Sequence, residues 1–358
     1  MTEVQGGKRM TTTNKIRKSK REDGRSGATT LQDVAQVAGV TTMTVSRVIK
    51  GAEGVGSATR ERVLRIAEEL NYTANPSARS LATGKTGVIA VVSGSLNHYY
   101  YANIVHLLEP EIAASGYEMR LLNTHRELKA LVNSTKSVSV DGVIVAGRYN
   151  LAAQFRALAP QVFQSCVFID ASRHDETDYV HANLAPAVEE ALELMLKSGR
   201  ARIAYVGHFH QTISKNMPEE RMRTYLDVME RVERVPELVN ADSGIPLTPE
   251  ILMQALKENG APGALLCVND ETAMRVYRVL RDLGYRIPED VLLVGCDNLP
   301  FMEFFDPQLS TIAPPMKEMC AMAWDFLQQR IADPTIPLQQ ATFDARLIVR
   351  PSLLSDAL

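Results

Sequence analysis

The 358-residue chain has little of what several large functional classes require. No stretch of about 18 apolar residues occurs, which argues against a helical membrane span. The opening, MTEVQGGKRMTTTNK, has no apolar run behind its charges, unlike a secretory leader, and we expect a cytoplasmic protein. Its four cysteines, Cys166, Cys267, Cys296 and Cys320, stand far apart with no Cys-x-x-Cys spacing. That pattern argues against a zinc site and fits reduced thiols. With 45% apolar and 23% charged residues, the chain has the balance of a folded protein, not of a disordered, collagenous or coiled-coil one. Its length suits two or three domains.

The net charge of −3 conceals an asymmetry. Residues 1–85 carry 15 Lys and Arg against 8 Asp and Glu, whereas the remainder carries 24 against 34. A basic head suits a polyanion, and the acidic body would repel one. Residues 1–28 are polar and rich in Lys, Arg, Thr, Ser and Gly. They have too few apolar residues to bury a core and read as a disordered basic tail, either a phosphate-seeking arm or simply solvated.

From Thr30 the pattern becomes helical. Leu31, Val34, Ala35 and Ala38 fall at i, i+3, i+4, i+7, one apolar face. Thr30 with Asp33 is capping-box-like, and Gly39 stands where a helix stops. Thr41 can cap a second helix with Val45, Val48 and Ile49 inward, and Ser57 a third with Val63, Ile66, Ala67 and Leu70 inward. Three short helices, the first two joined by a Gly-containing turn, form a helix-turn-helix domain over 29–73. The second helix presents Thr42, Met43, Thr44, Ser46 and Arg47 opposite its apolar stripe. Short hydroxyl side chains permit close approach to a groove, Arg47 can fork onto guanine, and Met43 can offer apolar contact to thymine. Exposed helix starts at Thr30 and Thr41 suit phosphate.

The string LQDVAQVAGVTTMTVSRVIKG strongly resembles the DNA-binding head of the lactose/galactose repressor (LacI/GalR) family of bacterial transcriptional regulators. Leu31, Asp33, Val34, Ala35, Ala38, Gly39, Val40, Thr44, Val45, Ser46, Arg47 and Val48 carry the match. The resemblance implies a hinge helix and linker over 74–86, with Asn75, Ala78 and Leu81 docking in the minor groove and Leu81 as the apolar wedge between base steps. Many members have proline where this chain has Ala74; Pro76 stands near the helix start instead. The Thr-x-Met-Thr-Val-Ser-Arg wording is similar to that of gluconate-type repressors, and with Arg221 it makes a sugar acid worth testing.

From Gly87 the texture alternates. Apolar runs at 87–93, 117–123, 141–147, 165–170, 202–208, 264–269 and 291–297 read as buried parallel strands, with helical stretches such as 184–197, 218–231 and 270–283 between them. That is a doubly wound α/β body over 87–350, too long for one comfortable core and so two lobes, followed by a tail at 351–358. The expected fold is an all-α helix-turn-helix head on an α/β, periplasmic-binding-protein-like body of two doubly wound parallel-sheet lobes. By resemblance, the effector residues are Asp170, Asn269 and Asp297 at strand ends, Arg221, and His98, Tyr99 and Tyr100 in the first ligand loop. Thr224 replaces the glycine commonly found three residues after that arginine. Asp and Asn suit paired hydroxyls, an aromatic face suits a sugar's C–H side, and arginine suits a hydroxyl or carboxylate. Capping explains Asn269 and Asp297 in isolation, and loop aromatics also pack between lobes.

Other signals lead nowhere. Gly84-Lys85-Thr86 resembles a phosphate-loop end, but the position needing glycine is Arg79. Ser172, His174 and Asp175 crowd one polar loop without a nucleophile elbow. His208 and His210 lack a third metal ligand at compatible spacing. We therefore expect no enzyme, cofactor or metal, and a homodimeric repressor that binds near-palindromic double-stranded operator DNA and a sugar or sugar-acid effector, with no membrane partner. The rival reading is a cytoplasmic sugar-binding protein or sugar-acting enzyme on the same body.

Overall fold

The computed structural model describes residues 29–49, 51–72, 85–122, 140–147, 164–170, 177–207, 219–240 and 247–354. The chain divides between Thr86 and Gly87 into two compact units. In the first, α1 (Leu31–Ala38), α2 (Thr42–Ile49) and α3 (Ser57–Glu69) close around Val34, Ala35, Ala38, Val45, Val48, Val63, Ile66, Ala67 and Leu70. The expected cap at Thr30 is a full capping box, its side chain accepting from Asp33 N–H while the Asp33 carboxylate accepts from Thr30 N–H at 2.8 Å. Gly39 ends α1 at φ +64°, a left-handed angle that costs glycine nothing, and its N–H reaches the Ala35 carbonyl. Thr41 Oγ1 accepts from Thr44 N–H at 3.2 Å and starts α2. The expectation for Ser57 needs correction. Gly56 takes the cap position in an extended conformation and Ser57 is already helical, so no side chain caps α3.

The second unit holds two six-stranded sheets. Its elements are β1 (Val88–Val92), α4 (Tyr99–Ala114), β2 (Glu118–Leu122), β3 (Gly142–Ala146), β4 (Cys166–Ile169) and β5 (Asp178–Asn183), then α5 (Ala185–Lys197), β6 (Ile203–Gly207), α6 (Glu220–Arg231), β7 (Glu237–Asn240), α7 (Pro249–Asn259), β8 (Ala264–Cys267), α8 (Asp270–Asp282), β9 (Leu292–Cys296), β10 (Ser310–Ala313), α9 (Met316–Ala332), β11 (Gln340–Asp344) and β12 (Arg346–Ile348). One sheet runs β11-β5-β4-β3-β1-β2, all parallel. The other runs β12-β10-β9-β8-β6-β7, parallel except for β12. The strand order is the same in both, so the lobes repeat one doubly wound topology. The central strands are wholly buried, as expected for parallel strands covered by helices on both faces.

The chain passes between the lobes three times: after β5, after β10, and at Ala345 between β11 and β12. At the first and third passages, Ala345 N–H donates to the Asn183 carbonyl at 3.0 Å and Asn183 Nδ2 to Asp344 Oδ1 at 2.7 Å. The body also continues past residue 350, where the sequence suggests a tail. Pro351–Leu353 form a 3-10 turn with Ser352 and Leu353 fully buried. Ser352 Oγ donates to the Leu293 carbonyl at 2.7 Å and accepts from Ser310 N–H at 2.8 Å, sewing the turn onto β9 and β10. Among the described residues, no helix is long and apolar enough to cross a membrane.

Candidate DNA-reading helix and effector cleft

In the head, Val45 and Val48 fix the rotation of α2 by inserting into the core. The opposite face leaves Thr42, Met43 and Arg47 exposed, Met43 by 69%, with Thr44 and Ser46 half-buried at the margins. Thr30 and Thr41 are exposed, yet both hydroxyls are engaged in capping; Thr30 Oγ1 donates to Asp33 Oδ2 at 2.8 Å, and Thr41 Oγ1 lies 3.0 Å from Thr44 Oγ1. The helix therefore offers a short-chained surface with one long cation, Arg47. The hinge residues Asn75, Ala78 and Leu81 lie outside the described residues, as do residues 1–28, Ser172, His174, Asp175, His208 and His210.

In the body, the two aspartates predicted at strand ends hold equivalent places. Asp170 follows β4 and Asp297 follows β9, the fourth strand of each lobe. Both have left-handed backbones, at φ +46° and +109°. Non-glycine residues held at such angles cost about 1–3 kcal/mol and cluster at functional sites.

Their surroundings differ. Asp170 is already occupied: Oδ1 accepts from Ala182 N–H at 2.8 Å and Oδ2 from the Tyr100 hydroxyl. Burial and the neighbouring Asp170 carboxylate push the Tyr100 phenol well above its usual range, so it remains a donor. Burial raises the Asp297 carboxyl to about 7, although the Arg221 guanidinium pulls the other way. Near neutral pH, Asp297 is thus poised between donor and acceptor.

Arg221 stands in the first turn of α6, its charge favoured by Glu219 despite burial. Its Nε donates to Glu219 Oε2 at 2.8 Å. Glu219 also caps α6, accepting from Met222 N–H at 3.0 Å, and it accepts from the buried Tyr205 hydroxyl. The guanidinium is thereby aimed by one carboxylate. Glu219 is absent from the sequence-level candidates; the available signal was an acidic residue at a helix start two places before the arginine.

Asn269 caps α8, its side-chain oxygen accepting from Thr272 N–H at 2.9 Å, so the capping explanation holds for that oxygen. His98 and Tyr99 bridge the lobes. Tyr99 N–H donates to Glu271 Oε1 at 2.9 Å, His98 Nδ1 lies 3.1 Å from Glu271 Oε2, and the Tyr99 ring meets Phe301 edge-on at 5.6 Å. The structure brings Tyr100, Asp170, Arg221 and Asp297 into one electrostatic group, with Glu271 acting on Asp297. Tyr101, also absent from the candidates, fills the space over Gly94 and Gly147. A Cβ at Gly147 would stand 2.6 Å from that ring, and its φ of +60° independently favours glycine. Among the described residues, no group of three or more His, Cys, Asp or Glu is arranged to hold a metal ion.

A compact three-helix head joined to a two-lobed α/β body with a polar cleft defines a ligand-responsive DNA-binding protein. The periplasmic-binding-protein-like domain model matches residues 192–353, and the model of the lacI family of bacterial regulatory proteins matches residues 30–75. The Ribose operon repressor of Haemophilus influenzae is 26% identical over 346 residues, covering 91% of this chain and 99% of the relative. Among solved structures, the lac repressor dimer bound to operator and the anti-inducer ONPF superposes with a TM-score of 0.77 at 24% identity, covering 92% of this chain and 100% of that one. The complex of the transcriptional regulator CelR with cellobiose gives 0.63 at 25% identity, covering 90% and 99%. Head and body are thus both similar to the LacI family of transcriptional regulators, whose members bind DNA and respond to small effectors and are not enzymes.

Proposed function

We propose that this chain acts in the cytoplasm, at the nucleoid, as a homodimeric repressor of carbohydrate-utilisation genes. Residues 29–73 read one half-site of a near-palindromic operator, 74–86 form the hinge with Leu81 as the wedge, and 87–354 bind the effector and the second copy. The observation that carries this reading is the exposed face of α2, short hydroxyls around a single Arg47, set by the burial of Val45 and Val48. A gel-shift with DNA from upstream of the chain's own gene tests it: retardation is expected, and its absence with and without candidate sugars rejects the reading. Arg47→Ala should cost about 1–3 kcal/mol at one base pair and relax selectivity there. An equal loss on random-sequence DNA would show that Arg47 reads only phosphate.

The cleft supports a polyhydroxylated effector, with Arg221, Asp297 and the Asn269 amide as its hydrogen-bonding groups and Tyr100 beside them. The gluconate-type wording of α2 would make that effector a sugar acid. The pairing of Arg221 with Glu219, and the presence of Asp170, Asp297 and Glu271, favour a neutral sugar instead, because an incoming carboxylate meets an arginine already partnered. A thermal-shift screen of neutral sugars, sugar acids and sugar phosphates decides between them. A shift confined to the acids would establish the gluconate-like reading.

A further inference from the structure

Where the chain first passes between lobes, a line of polar groups runs from one to the other. His181 lies on β5, and its side chain is 19% exposed. Its Nδ1 stands 3.4 Å from Asp170 Oδ1 in the first lobe, and its Nε2 stands 3.7 Å from Glu220 Oε2 in the second. Both carboxylates are slightly more enclosed, at 18% and 15% exposed. Other donors hold both carboxylates: the Tyr100 hydroxyl donates to Asp170 Oδ2 and Ala182 N–H to Asp170 Oδ1, while Leu184 N–H donates to Glu220 Oε2 at 3.1 Å. We infer that His181 is a positioning residue of the cleft, tying the lobes at their first passage by holding Asp170, and through it Tyr100, in register with Glu220 and the turn that carries Arg221.

The charge of the ring follows from its neighbours. Burial works against the imidazolium, but the carboxylates of Asp170 and Glu220 outweigh it and push the ring up to about 9. Glu220, despite its own burial, is held below the usual carboxylate range by His181 and Leu184 N–H. Arg223, on the same turn, stands 3.9 Å from Glu220 Oε1 and draws on the far oxygen. Asp297 acts on Tyr100 and is itself acted on by Asp170 and Arg221; Thr342, the strand neighbour of His181 on β11, is uncharged; and Cys320 of α9, near Asp170, is a neutral thiol pushed up to about 12 by burial. Deprotonation would leave two carboxylates facing a neutral ring that can donate to only one of them. The two contacts are ion pairs at 3.4 and 3.7 Å, so the tie between lobes depends on the proton that charges the ring. The tie's part in the effector response rests on the reading of the cleft given above, whereas its existence does not.

The test uses the full chain without effector or DNA, so it is separable from a failure of the regulator reading. Histidine ring signals followed by NMR across pH 6–10 should show one ring with a midpoint near 9 that is missing in His181→Gln. Because the folded value is raised above the unfolded one of about 6.5, the stabilisation is complete below pH 6.5 and disappears as pH rises through 9. Thermal denaturation should therefore find His181→Gln less stable than the parent at pH 6–7, with the gap closed by pH 10. Glu220→Gln should lose part of the same pH-dependent stabilisation, the Asp170 pairing remaining, and the double variant should lose no more than His181→Gln alone. A gap that persists unchanged to pH 10, additive losses, or the absence of any ring titrating above about pH 8 would each overturn the assignment.

Discussion

Arg221→Ala is expected to abolish the response to effector while leaving operator binding close to that of the parent. The guanidinium is the only arginine among the described residues of the cleft's electrostatic group, and its direction is set by Glu219 through Nε. That pairing fixes the plane of the guanidinium. A hydrogen bond to a charged group contributes about 1.5–3 kcal/mol, so loss of one such contact weakens effector binding roughly 10- to 150-fold. Loss of a forked pair takes it beyond practical concentrations. The substitution also acts indirectly: Arg221 holds the Asp297 carboxyl down, and without it that carboxyl rises further above its present value of about 7 and is neutral through the physiological range. A hydroxyl donating to Asp297 would then lose its charged acceptor as well. Arg221→Lys keeps the charge but not the planar fork and should fall between the two. The measurement is a gel-shift titrated with whichever compound the thermal-shift screen identifies. A parental dose response in Arg221→Ala would remove Arg221 from the effector site.

The head was legible because everything that shapes it is local. Helix period, two threonine caps and one left-handed glycine lie within a few residues of what they control, and only the cap of α3 fell one residue away from its expected place. Most buried strands were legible as apolar runs, but β10 was not: its STIA is wholly buried yet opens with two hydroxyl residues. Strands β5 and β11 were not: β5 reads DYVHAN, with alternate residues half-exposed at the passage between lobes, and β11 is an edge strand reading QATFD. Strand β12 has three residues, too few for any pattern.

The site divides in the same way. Asp170 and Asp297 stand immediately after apolar runs, and Arg221 sits in the first turn of a clear helix, so each was accessible from the sequence with the family resemblance. Glu219, His181 and Tyr205 were not, because their roles are defined by partners distant along the chain: Tyr205 meets Glu219 fourteen residues on, and His181 meets Glu220 from another lobe. Tyr99 and His98 illustrate the converse. Their residue types suited a ligand loop, but the contact that occupies them is Glu271, 172 and 173 residues away.

The largest stability effect is expected from Arg330→Met, far from either site. Arg330 on α9 is nearly enclosed, its side chain 7% exposed, and it forks onto Asp178, itself 2% exposed, through Nε at 2.9 Å and Nη2 at 2.8 Å. The remaining donors turn to the carbonyls of Pro334, Ile336 and Pro337, so the segment between α9 and β11 is folded around one guanidinium. Asp178 Oδ1 also accepts from Gln339 N–H at 2.9 Å, which sets the start of β11 beside β5. Removing the arginine leaves a buried carboxylate without its cation, a change that costs about 3–5 kcal/mol. Urea denaturation at pH 7 should show that loss, and Asp178→Asn combined with Arg330→Met should lose clearly less than the sum of the two, since the stranded charge is then gone. The functional signature separates this variant from Arg221→Ala. β11 leads directly into the third passage between lobes, so weakening its anchorage lowers the population of intact body, and effector binding and the effector's control of operator binding should decline together on warming rather than one at a time.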